Sequence, residues 1–481
     1  MFAKALPLAP ALRRAYQDIP IPLVGPSTPG VTVRAGQQRT INWYPVKPER
    51  EGDKWHLRGT PGLAALVTLP RSPVRGFHVH NGRLFALAGP RIYEVYADGT
   101  YLEWGAIAST RGKVTMASLL NVIVIGDGTR FFALDLAAET VTQITDAPRG
   151  RFCVFFNQRI LYQGENGQVF YSELNDPTNI PGLNFFTAES LPDEVMAITT
   201  TEDQVWLHGS DSAEPWYDSG DTDNPFQRIP GGVVYSGIGF ADTALRLDNS
   251  LWWVERDKEG AGIVRRTQGF TPLRISTTPV ERFTASATRL SAYSYQEEGH
   301  SFYVLNANEG TWAYDIKTGE WHERAWLNPE GTQERQRQEL HAYCYGLHLV
   351  SDYETGAIYR QSLGLFSDDG AEIKRTRITP IINFTGRPAT VRELWLDFTA
   401  GVGLDGAGQG IDPQVMLRAA SDGATFGNEL WADIGAIGEY GAQARFFDLG
   451  QGRDWVFEIT VSDPVLAILQ GGDARVAVGR R

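Results

Sequence analysis

Few residues of this chain have the types and spacing that chemistry requires. Gly401-Val402-Gly403-Leu404-Asp405-Gly406 matches the GxGxxG pattern after a strand-like run, which in a dinucleotide site seats a pyrophosphate at a helix N-terminus. The residues that follow, 407–413, are Gly-rich and end in Asp-Pro, so they cannot open a helix and the segment reads as a loop. Asp211, Glu214, Asp218, Asp221 and Asp223 offer the hard oxygen atoms that Ca²⁺ prefers. The sixth-position Gly and twelfth-position Glu of an EF-hand are missing, and a solvated loop is the expectation. His78 and His80 share one face of a strand, but the other six histidines (His56, His208, His300, His322, His341, His348) are scattered and supply no third ligand. Ser421 to Phe426 have the order of a shortened Asp-box, a turn between strands and not a reaction centre. A serine elbow, a CxxC pair and a Walker loop are all missing. The expectation is no catalytic residue, no cofactor, no metal and no enzyme.

The elements that hold these residues repeat. Seven apolar or aromatic runs begin at Leu84, Val122, Ile160, Val205, Leu251, Phe302 and Leu347, at spacings of 38, 38, 45, 46, 51 and 45 residues. A fixed period of this size marks a repeat architecture. Eight to twelve residues after each run comes a second one, for example Ile92-Tyr93, Phe131-Phe132 or Ile358-Tyr359. Between the two lie turn residues such as Asp127-Gly128, Asn166-Gly167 and Glu259-Gly260, which tolerate the positive φ of short hairpin loops. With one strand upstream and one downstream, each unit is a four-stranded antiparallel blade, and the fold class is an all-β propeller. Seven blades are expected, six if the fourth or fifth is irregular. A middle strand covered on both faces explains why the runs are continuous and not alternating.

The last blade has three strands, 341–345, 347–352 and 357–362, and lacks a fourth. An orphan apolar strand, 63–67, precedes the first blade. If Leu63 to Val67 pair with Ala357 to Ser362, the ring closes with a strand from each end and leaves no sheet edge exposed. The expected domains are an N-terminal extended arm (1–62), the propeller (63–364) and a C-terminal β-sandwich (365–481). Residues 327–340 read as a polar insertion projecting from the disc.

The chain has 481 residues and a net charge of −13, with 44 basic against 57 acidic residues. That balance argues against a protein that grips nucleic acid through a basic footprint. The two cysteines, Cys153 and Cys344, imply no disulfide framework and fit synthesis in a reducing compartment. Pro7 and Pro10 break the only apolar stretch near the start, and Arg13-Arg14 follow it, so a signal peptide is not expected. No run approaches the ~18 apolar residues of a membrane span.

Outside the blades, Gln38-Arg39-Thr40-Ile41-Asn42-Trp43-Tyr44-Pro45, then Thr60-Pro61-Gly62-Leu63, resembles the N-terminal signature of the packaged-DNA stabilisation proteins of short-tailed phages, also called tail hub or nozzle proteins. Leu449 to Ile459 followed by Ser462-Asp463-Pro464-Val465 is similar to a second phrase of that family; the turn at Ser421–Phe426 is shorter than the family's version. The resemblance implies a virion protein made in the host cytoplasm. It implies a homohexameric ring below the portal and adaptor, continuing the DNA exit channel. Needle, tailspike or tail-fibre proteins would attach to it, and genome DNA would pass without sequence-specific binding. Acidic side chains lining that channel would repel phosphate. Two other classes remain open on the residues alone: a glycan-binding or glycan-cleaving propeller using Trp206, Trp252 and Trp253 as platforms, and a free-standing interaction propeller.

Overall fold

A computed structural model describes residues 16–32, 36–50, 54–188, 193–256, 262–384, 386–405 and 408–478. The readings of Pro7, Pro10, Arg13 and Arg14, of the Glu259-Gly260 turn and of Gly406 lie outside the described residues. The chain forms two compact units, Thr60–Ile373, and Met1–Gly59 together with Lys374–Arg481.

In the first unit seven four-stranded antiparallel arrangements follow one another. Their first strands are Val74–His80, Thr115–Leu119, Cys153–Phe156, Ala197–Thr200, Leu245–Leu247, Leu290–Glu297 and Gln338–Cys344. Each first strand touches the next, and the last touches the first, so the sheets close into a β-propeller. The second strands carry the apolar runs, and Phe85, Ile123, Leu161, Trp252, Tyr303 and Leu349 on them are wholly buried. The core is a set of layers between neighbouring blades. Phe85 and Leu87 of the first pack with Ile123 and Ile125 of the second, and Trp252 of the fifth stacks on Tyr303 of the sixth at 5.3 Å. Burying such a side chain contributes about 1.5–3 kcal/mol, which is why rings of this kind need no staple.

Five of the seven connections from first to second strand are two-residue turns with both residues at positive φ, as at Asn81-Gly82 (48° and 72°) and Tyr345-Gly346 (58° and 73°). That is the backbone a two-residue hairpin with right-handed twist demands.

Two features depart from the sequence reading. A helix, Thr278–Ser286, enters between the fifth and sixth blades, with Pro near its N-terminus and Val280 buried. The Thr284 hydroxyl donates to the Gly262 carbonyl at 2.5 Å, tying the helix to the sheet. The polar insertion projects only in part. Residues 328–334 carry a short hairpin tip, but Arg335, Gln336, Gln338 and Glu339 are buried. Hydrophobicity misreads these four because polar partners meet them inside: Gln336 Nε2 donates to the Tyr293 hydroxyl at 2.9 Å, and Arg335 reaches Glu339 at 2.7 Å.

The second unit is a β-sandwich. One sheet runs Trp43–Val46, His56–Gly59, Leu469–Val478, Ala389–Phe398, Ala444–Gly452, with Gln17–Pro20 also pairing to Leu469–Val478. The other runs Arg39–Ile41, Arg375–Ile378, Val456–Val461, Gln414–Ala420, Leu430–Asp433. Trp43, Leu57, Leu394, Trp455 and Phe457 share its core. Gln17–Pro20, Arg39–Ile41 and His56–Gly59 from the N-terminal part pair with strands built by the C-terminal residues.

Candidate functional site: the closing blade and the N-terminal motif

Gly62–Thr68 pairs antiparallel with Ala357–Ser362. Leu63 lies opposite Gln361, Val67 opposite Ile358, Thr68 opposite Ala357, and Gly62 opposite Ser362, with a bulge between Ile358 and Tyr359. Pro61 and Gly62 lead into this strand and are buried. The Gly62 N–H donates to the Leu365 carbonyl at 3.1 Å. A Cβ at Gly62 would stand 2.6 Å from the carbonyl oxygens of both Leu365 and Ser367, so the chain passes where only glycine fits. On the other edge the Ala65 N–H donates to Asp369 Oδ1 at 3.0 Å.

The seam between the last blade and the first is held by Tyr345, which the sequence reading took only as the end of the strand 341–345. The Tyr345 hydroxyl accepts from the Leu84 N–H at 3.1 Å and donates to the Val95 carbonyl at 2.9 Å. Leu84 and Val95 are cross-strand partners in the first blade, so the hydroxyl enters that ladder from the neighbouring sheet. Beside it the buried Cys344 thiol donates to the Gly82 carbonyl at 3.3 Å. Burial pushes that thiol up from its ordinary range, away from the reactive thiolate.

The motif residues Asn42, Trp43, Tyr44 and Pro45 are structural in the sandwich unit. Asn42 takes φ 55° and its Nδ2 donates to the Lys374 carbonyl at 3.0 Å. Trp43 is fully buried and its Nε1 donates to the Ala467 carbonyl at 2.9 Å. Tyr44 is buried on the same strand, and Pro45 faces Leu57 across the pair. Near them the buried Arg377 guanidinium donates to the Pro26 carbonyl at 3.1 Å and to Thr40 Oγ1 at 2.8 Å. Burial brings its pKa down to about 9.

The residues weighed for chemistry have structural partners. His78 Nε2 pairs with Ser118 Oγ at 2.9 Å, and burial, then the nearby His80, holds its imidazole down at about 4. His208 is buried against Thr199 Oγ1 at 2.8 Å, and His341 meets His348 at 3.0 Å. Asp221 Oδ1 caps the N–H groups of Asp223 and Asn224, while Glu214 is buried on its strand. Asp422 Oδ1 accepts from the Ala424 and Thr425 N–H groups, which lower its carboxyl to about 2. Among the described residues no three His, Cys, Asp or Glu side chains converge to hold a metal. Trp206, Trp252 and Trp253 are 2%, 0% and 0% exposed, so none offers a ring to a sugar.

A model of the bacteriophage P22 Gp10 β-propeller matches residues 33–362, and one of the P22 Gp10 β-sandwich matches residues 374–477. The chain belongs to the bacteriophage P22 Gp10 family. As a Gp10-family member it is a structural component of the phage particle that stabilises packaged DNA. No curated protein sequence matches the chain. Solved structures with similarity include the computationally designed Ika8 protein, at 13% identity over 67% of this chain and 99% of that one with a TM-score of 0.40. Another is BamB from Moraxella catarrhalis, at 10% identity over 62% of this chain and 99% of that one with a TM-score of 0.39. Among the described residues of this Gp10-family chain, no helix is long and apolar enough to cross a membrane.

Proposed function

We propose that copies of this chain form a homohexameric ring below the portal and its adaptor. There the ring continues the DNA exit channel, holds the packaged genome in place and anchors the needle, tailspike or tail fibres. The observation that carries this reading is the match of both modules, propeller and sandwich, to one phage family. Physical properties of the chain agree with it. A closed propeller is a stiff body with side surfaces for contacts, and a cyclic ring joins such bodies through heterologous interfaces that close. A net charge of −13 favours a channel wall that lets DNA pass, because the attraction of Lys and Arg for phosphate is outweighed. In the same reading Leu63 and Val67 against Ala357 and Ser362 act as the latch of the ring of blades. Asn42, Trp43, Tyr44, Pro45, Pro61 and Gly62 serve as framework, and no residue is catalytic.

Sedimentation of the chain mixed with portal–adaptor complexes, followed by electron microscopy, tests the assembly. Six copies per complex around an acidic bore are expected. A chain that stays monomeric and never joins the complex would overturn the reading.

A further inference from the structure

Against the acidic balance of the chain, one hollow among the described residues is lined mainly by basic side chains. A cavity of about 320 Å³ is lined by Arg75, Arg111, Lys113, Arg289, Arg335 and Glu339. Each of the five cations sits at or a few residues before the start of a first strand: Val74–His80, Thr115–Leu119, Leu290–Glu297 or Gln338–Cys344. Because first strands ring the axis, residues from distant parts of the sequence meet at one mouth of the propeller. The cavity volume lies at the low end of the range for small-molecule sites.

The charges in this lining do not cancel. Glu339 is the single carboxylate, and it is engaged three ways. Lys113 Nζ stands 2.8 Å from Oε1, Arg335 Nη2 2.7 Å from Oε2, and the Ser291 hydroxyl donates to Oε1 at 2.8 Å. Burial alone would raise this carboxyl, but Lys113 and Arg335 bring it down to about 2, so it stays ionised. Arg75 is buried and satisfied by oxygens that carry no charge. Nε donates to the Gly112 carbonyl at 2.6 Å, Nη1 to the Gly89 and Ser109 carbonyls at 2.8 Å, and Nη2 to Ser109 Oγ at 2.9 Å and the Arg111 carbonyl at 2.7 Å. Its nearest acidic influence, Asp127, lines a different hollow. The Arg335 guanidinium lies 4.1 Å over the Tyr353 ring, which fixes its plane. Arg111 and Arg289 stand exposed at the rim without a side-chain hydrogen bond or ion pair among the described residues. Five cations against one carboxylate leave a surplus of four positive charges in a small concave space.

We infer that this axial mouth is a binding site for a compact polyvalent phosphate anion, of the di- or triphosphate class. A lone carboxylate or chloride would leave most of the surplus unbalanced, whereas an oligophosphate carries three or four charges in a volume the cavity admits. The buried pair Arg75 and Arg335 is held rigid by carbonyls and by Tyr353. The free forks of Arg111 and Arg289 are placed to close on phosphate oxygens, which guanidinium matches with paired N–H donors. All of the lining comes from a single chain. An acidic side chain of a protein neighbour is the competing occupant, and the test separates the two.

The full chain is titrated with tripolyphosphate by calorimetry at fixed ionic strength, in parallel with citrate and a hexaglutamate peptide. Saturable binding at one tripolyphosphate per chain is expected, weakening with added salt. Arg111→Gln and Arg289→Gln, both surface changes that leave the fold intact, are expected to weaken it by about tenfold each. Glu339→Gln, where it folds, should tighten it. No saturable binding, binding unchanged in the Arg111→Gln/Arg289→Gln double variant, or citrate or hexaglutamate bound as tightly as tripolyphosphate would each overturn the assignment.

Discussion

Tyr345 shows how one atom can couple two sheets. Its hydroxyl is the partner of both a donor and an acceptor in the neighbouring blade, and Tyr345→Phe would remove that partner while keeping the ring in place. A buried N–H left without an acceptor costs about 1–3 kcal/mol. The variant should lower the unfolding free energy by that amount, seen as a lower urea midpoint at an unchanged m-value; an unaltered midpoint would mean that solvent replaces the hydroxyl. The sequence hides this role, because Tyr345 reads only as the last residue of the strand 341–345. Glu339 was hidden for a different reason. Its acidic and basic neighbours make 335–339 look solvated, and only the three-dimensional meeting with Lys113, more than two hundred residues away, shows why the segment is buried.

Among the elements, the second strands were the most legible. Runs such as Leu251 to Val254 are apolar on both faces because neighbouring blades cover both, and their spacing exposes the repeat. The N-terminal strands were the least legible. Gln17–Pro20 pairs with Leu469–Val478 and Arg39–Ile41 with Arg375–Ile378, and no local pattern announces a partner more than three hundred residues away. The closing strand can be tested by a cross-link. Ala64 and Arg360 are opposite one another and not fully buried, while Cys153 and Cys344 are buried out of reach. Ala64→Cys with Arg360→Cys should oxidise to a disulfide that raises stability by about 2–4 kcal/mol, lost on adding reductant. Failure to cross-link in the folded protein would show that Gly62–Thr68 is not the strand that completes the last blade.

Across the whole molecule the histidines set an acid limit. His78 and His208 are held at about 4 and His341 at about 3, in each case first by burial, while an unfolded chain takes up the proton near 6.5. These groups add nothing above that value. As pH falls below 6.5 the unfolded state binds protons that the folded state refuses, so stability drops until the folded pKa is passed. By pH 4.5, His78 and His208 would each cost about 2–3 kcal/mol. Glu339 acts in the same direction, since its stabilising charge is lost from 4.5 down to about 2. Urea midpoints should hold nearly level from pH 7.5 to about 6.5 and fall steadily from there to pH 4.5, with net proton uptake on unfolding; a flat profile below 6.5 would contradict this account.

The pairing of Gly62–Thr68 with Ala357–Ser362 also dictates an order of events at the ribosome. The early strand emerges first and must wait for roughly 290 further residues before its mate exists, which at the usual pace of synthesis is roughly 15 to 60 seconds. Throughout that interval an apolar ribbon with free backbone groups hangs from the nascent chain. Slower translation should therefore lengthen the time in which that ribbon can find a wrong partner.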